Sequence, residues 1–130
     1  MKGIYCLVMN VKKDIETEVG ALGNISFKKG NYIYVGSAQN GIEQRVRRHS
    51  RKNKKKHWHI DYLLSDKNVE LIKYLYKKAG KEEECRLACF FLSSFEEPID
   101  KFGCSDCNCK SHLFRIKKLD ISKLNMREAR

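Results

Sequence analysis

The chain is short of everything that makes a membrane or repeat protein. Its longest clean apolar run is IYCLVM at 4–9. A bilayer-spanning helix needs about 20 such residues, so no membrane is expected among its partners. The opening MKGIYCLVMNVKKD passes straight from that run into lysines, with no small-residue cleavage site, and a cytoplasmic location is expected. The sequence has one proline, Pro98, and shows no internal repeat and no low-complexity linker. Its 130 residues suit one domain spanning 1–130, with a modest core. Acid is scarce as well: 16 Asp and Glu stand against 27 Lys and Arg, for a net charge of +11.

That excess of base argues for a polyanionic partner, and nucleic acid is the default candidate. The charge is clustered. RVRRHSRKNKKKH holds eight Lys or Arg between Arg45 and Lys56. Arg47, Arg48, Arg51, Lys52, Lys54, Lys55 and Lys56 are the expected phosphate contacts, binding the backbone rather than reading bases. A solvated helix end and loop is the plainer reading of the same run.

Elements follow from pattern. KGIYCLVMNV reads as a strand, and a second strand is expected over Tyr32–Val35 after a glycine-punctuated stretch with a short strand near Ile25–Phe27. Alternation puts Gly3, Tyr5 and Leu7 on one face and groups Tyr32, Tyr34 and Gly36 likewise, so pairing with that face shared brings Tyr5 and Tyr34 together. NGIEQRVRRHSRK reads as a helix capped by Asn40 and buried along Ile42 and Val46. Arg45 and His49 fall beside that stripe and look inward, while Arg47, Arg48 and Arg51 point away. HWHIDYLL is expected to form an amphipathic helix, VELIKYLYKK a strand although its length also allows a helix, KEEECRLACFFLSSF a helix and LFRIKKL a last strand or short extended segment, with a frayed end. Asp61 is a further acid that could lie near the site.

Glu84, Leu87, Ala88 and Phe91 fall on one helix face. A carboxylate there is costly unless it is paired or binds a metal, although an acid also suits a helix's first turn. Four soft ligands lie close together in GCSDCNCKSH: Cys104, Cys107, Cys109 and His112. They could hold Zn²⁺, but the tight C-x-C and the want of a distant partner pair leave reduced thiols or a disulfide as alternatives. Cys85 and Cys89 share a helix face and read as small core residues.

The GIY at 3–5 and the YVG at 34–36 resemble the two halves of the GIY-YIG motif. Arg45 lies eleven residues after Tyr34, close to the spacing of that superfamily's helix arginine, with His49 four residues further on. Glu84, opening ECRLA, is similar to its metal-binding glutamate. GNYIYVGSA, RVRRH, HWHIDYLL and FGCSDCNCKSHLF resemble the small stand-alone branch called Uri or DUF123, over nearly the whole chain.

The resemblance implies an α/β fold with a three-stranded, mainly antiparallel sheet flanked by helices, here with an inserted glycine-rich hairpin. It implies a metal-dependent endonuclease hydrolysing phosphodiester bonds in DNA, with a role in repair among the expectations. Tyr5, Tyr34, Arg45 and His49 would be the catalytic residues, and Glu84 the ligand of one Mg²⁺ or Mn²⁺ ion. One tyrosine, left unassigned, would serve as general base. Two departures stand out: the longer gap holding VGALGNISF, and FEEP where the superfamily often has an asparagine. A non-catalytic nucleic-acid-binding domain of the same fold is the alternative, and a zinc-dependent interaction module a third reading.

Overall fold

The computed structural model describes residues 2–129 apart from 39, 95, 105–108, 118–123 and 125. Its centre is β1 (Gly3–Val11), an almost wholly buried strand. Burial on both faces explains why GIYCLVMNV is nearly continuously apolar instead of alternating. On one side β1 pairs with β4 (Gly30–Ala38), on the other with β5 (Val69–Lys77), both antiparallel. Short strands extend the sheet. β7 (Leu113–Arg115) joins β4, β6 (Glu97–Pro98) joins β7, and β8 (Arg127–Ala129) joins β5. The order is β6-β7-β4-β1-β5-β8.

Six strands replace the three expected. The additional strands are two or three residues long. Segments so short carry no periodicity of their own: β7 and β8 are strands because the long β4 and β5 offer them open edges, and β6 in turn pairs with β7. The expected hairpin is present: β2 (Ile15–Glu18) pairs antiparallel with β3 (Asn24–Phe27) as a separate two-stranded sheet.

The sheet divides the core in two. Tyr5, Leu7, Met9, Tyr32 and Tyr34 face α1 (Ile42–Ser50), α2 (His59–Leu64) and the hairpin, where Val19, Phe27, Ile42, Val46, Ile60 and Leu63 complete the packing. Ile4, Cys6, Val8, Ile33 and Val35 face the other way, against Leu87, Ala88 and Phe91 of α3 (Glu82–Ser93). Helix α1 starts after Gly41, with no side-chain cap, so Asn40 does not cap it. Among the described residues, no helix is long and apolar enough to cross a membrane.

Candidate active site

Register sets the site. Tyr5 lies opposite Gly36, and Leu7 opposite Tyr34. The two tyrosines therefore share a face, as alternation predicts. A Cβ at Gly36 would stand 2.4 Å from the ring of Tyr5, so the glycine makes room for that ring as it crosses the neighbouring strand. Any side chain there would displace Tyr5.

Tyr5, Tyr34, Gly36, Arg45, Trp58, His59 and Glu84 line one cleft of about 520 Å³. They come from β1, β4, α1, α2 with its approach, and α3. Although the body of α3 packs on the far face of the sheet, its first turn brings Glu84 to the cleft. The Glu84 side chain is 15% exposed, and Oε2 lies 3.5 Å from Nδ1 of buried His112. His49 stands behind the cleft, 2% exposed, and reaches it through the phenol of Tyr5, with Nε2 2.9 Å from the hydroxyl.

Burial dominates the electrostatics of these groups. It pushes both phenols well above the ordinary range. For Tyr5 the Arg45 guanidinium pulls back against it, and for Tyr34 the proximity of Tyr5 and Glu84 adds to it. Burial pushes His49 down to about 3, aided by Lys54 and opposed by Asp61. His49 is thus neutral at physiological pH, with one donor and one acceptor nitrogen. Nδ1 faces Asp61 Oδ1 at 3.9 Å. Placing the proton there leaves Nε2 to accept from the Tyr5 hydroxyl, the tautomer we assign.

Asp61 is a fully buried hub that sequence reasoning left vague. Arg48 donates to both its oxygens, at 2.8 and 2.9 Å, and the backbone N–H groups of His57 and Trp58 donate at 2.7 and 2.9 Å. Burial alone would raise its carboxyl, but these donors outweigh it and hold Asp61 below the usual carboxylate range. Trp58 is a platform: the guanidinium carbons of Arg45 and Arg48 lie 4.4 and 4.6 Å from its ring centre. Arg45 also donates to Ser37 O at 3.2 Å. His59 accepts from the Gly103 N–H at Nδ1, 2.8 Å away, and joins the lining. It falls within the HWHIDYLL stretch, where the residues alone point to an ordinary hydrogen-bonding role and not to a site.

The basic run divides on folding. Arg47, Arg51, Lys55 and Lys56 are exposed. Arg48 turns inward to Asp61, against the helical-wheel expectation. Lys54 Nζ donates to His49 O at 2.8 Å and Arg48 O at 3.3 Å, closing the C-terminus of α1. Lys52 Nζ donates to Leu64 O and Asp66 O at 2.8 and 2.9 Å, and to Val69 O, closing the end of α2. In the cysteine loop, Cys104 Sγ lies 3.5 Å from Phe102 O, and Cys107 lies outside the described residues. Cys109 and His112 meet Cys85 of α3, a distant thiol that the sequence hid in a helix.

Fold and cleft define a small mixed α/β domain with an antiparallel sheet and a polar, tyrosine- and arginine-lined cleft at one end. The chain belongs to the family described as domain of unknown function DUF123, whose model matches residues 4–129. No curated protein and no solved structure matches it.

Proposed function

We propose that this protein is a metal-dependent endonuclease of the GIY-YIG type that hydrolyses phosphodiester bonds in DNA. One observation carries the reading: Tyr5, Tyr34, Arg45 and Glu84, distant in sequence, line one cleft. Glu84 fits a hard divalent ion, since Mg²⁺ binds through one or two carboxylates and keeps several waters, and Glu84 is the acid among the described residues lining this cleft. Glu84 would hold Mg²⁺ or Mn²⁺, which when bound supplies charge stabilisation at the phosphoryl group and leaving oxygen.

The chain's own groups supply the rest. Arg45 binds the scissile phosphate with a forked, permanently charged donor set. Tyr5 takes the proton of the attacking water, and His49 Nε2 is positioned to receive the phenol's own proton, 2.9 Å away. This favours Tyr5 over Tyr34 as the base. Asp61 faces the opposite imidazole nitrogen and favours the charged ring as it forms. Exposed Arg47, Arg51, Lys55 and Lys56 hold flanking phosphates.

A second reading, a nucleic-acid-binding domain without catalysis, draws on the buried phenols, both of which are held protonated. Incubating the full chain with duplex, flap, branched and single-stranded DNA, and with RNA, separates the two. Nicking of at least one DNA substrate with Mg²⁺ or Mn²⁺, abolished by chelation, is expected. Tight binding with no cleavage of any substrate selects the second reading.

A further inference from the structure

Beside the cleft, the loop segment at Cys109–His112 meets the first turn of α3. There Cys85, Cys109 and His112 each place one ligand atom within 4.8 Å of the others. Cys85 and Cys109 are half-buried and His112 is buried. The backbone of His112 is held from both sides: its N–H donates to Phe102 O at 2.8 Å, and its carbonyl accepts from the Val35 N–H at 2.9 Å. The imidazole is therefore presented by the sheet's own hydrogen bonding, not by a loose loop. Gly103 passes close by, with φ 75° and a would-be Cβ 3.1 Å from that of His112, so a bulkier residue there would crowd the ring.

We propose that Cys85, Cys109 and His112 bind a zinc ion that fastens this loop to α3. Two thiols and an imidazole are the donor set of Zn²⁺, whereas Mg²⁺ and Mn²⁺ favour oxygen, so the cluster is chemically distinct from the carboxylate of the cleft. Tetrahedral zinc with bonds of about 2.0–2.3 Å spaces its donors about 3.5 Å apart. Side-chain movements of roughly 1 Å close the observed set around an ion, with a further donor at the fourth position. On binding, the two thiols release their protons to solvent and the imidazole stays neutral.

The site has a structural consequence. Cys85 follows Glu84 directly, and Glu84 Oε2 lies 3.5 Å from His112 Nδ1. An ion at the cluster fixes the turn that delivers Glu84 to the cleft. The zinc assignment does not depend on the proposed nuclease activity and is read independently of it.

The test is metal content and thiolate ligation. The full chain, produced with zinc in the medium and purified under reductant, should carry about one zinc per chain by elemental analysis. Cys85→Ser, Cys109→Ser and His112→Ala should each lower that severalfold. Cys89→Ser, on an exposed residue one turn along α3, should leave it unchanged. A measurement on the wild-type chain guards against variants that fail to fold: Co²⁺ added after zinc removal should give a thiolate-to-metal charge-transfer band, with loss of the band on re-adding zinc. A chain that carries no zinc and gives no such band overturns the proposal. So does full zinc retention by Cys85→Ser, or a Cys85–Cys109 disulfide persisting under reductant.

Discussion

The two faces of the central sheet are built from the same strands and spend their side chains differently. On the α3 face, Ile4, Val8, Ile33, Val35, Leu75, Phe91 and Phe114 make an apolar layer; Cys6 is buried in it with its thiol pushed up to about 12, and half-buried Cys109 packs against it. On the α1–α2 face, buried phenols, an imidazole and a carboxylate lie among the hydrophobics. Buried polar groups are costly unless satisfied. On this face Tyr5, His49 and Asp61 form a chain of buried polar groups, each facing the next.

Variants on the two faces should therefore separate activity from stability. The largest effect is expected at Tyr5. Tyr5→Phe keeps the ring over Gly36 and removes the hydroxyl bonded to His49, and single-turnover cleavage should fall by about 10²–10⁴, with a stability loss of about 1–3 kcal/mol from the unpaired His49 Nε2. Tyr34→Phe should cost less. The reverse order would move the base to Tyr34. On the opposite face, Phe91→Ala removes a fully buried ring packed on Phe114, with centroids 5.6 Å apart. Denaturant titration should show a loss of about 3–5 kcal/mol, while the cleavage rate of the remaining folded protein stays near wild type.

On the polar face, acid should act through His49 and Asp61. His49 is pushed down to about 3, below its unfolded value near 6.5, so the unfolded chain binds more protons between those values. Its contribution is complete above about pH 6.5 and is lost as pH falls towards 3, with a slope of up to about 1.4 kcal/mol per pH unit. Asp61, also lowered, has the same sign at lower pH. A His49→Gln chain should show a flatter stability profile from pH 6.5 to 4 in denaturant titrations. An unchanged profile would place the acid sensitivity elsewhere.

The smallest effect is expected in the basic loop. Lys55→Ala/Lys56→Ala should weaken DNA binding alike for all sequences and reduce the salt slope by about 2, measured by fluorescence anisotropy across salt concentrations. Lys54→Ala should act mainly on stability, because its ammonium already closes α1. If Lys54→Ala changes the salt slope as much as the other two combined, the division of the loop into caps and phosphate contacts fails.

What was legible in the sequence follows the range of the interactions involved. The strands around Tyr5 and Tyr34 and the inward phase of His49 were readable because period 2 and period 3.6 are local signals. Arg48 was misread as outward because a helical wheel does not contain Asp61, thirteen residues away on another helix. Lys52 and Lys54 read as phosphate contacts because carbonyls at helix ends are invisible in a string of letters. β8 reads REA and has no strand character apart from its pairing with β5. Cys85 was legible as a helix residue, but its meeting with Cys109 and His112 belongs to tertiary structure. In each case the missing information was the identity of a distant partner, not the chemistry of the residue itself.

The central claim is that the cleft at the end of the sheet cleaves phosphodiesters with Glu84 as metal ligand. Its most direct test is Glu84→Gln, which keeps size and removes charge, compared with Glu83→Gln, a neighbour engaged instead with Lys77 and Arg86. On a substrate the wild-type chain cuts, Glu84→Gln should lose Mg²⁺- or Mn²⁺-dependent cleavage by several orders of magnitude while binding DNA within a few-fold of wild type, and Glu83→Gln should cleave nearly normally. Cleavage by Glu84→Gln at the wild-type rate would contradict the account.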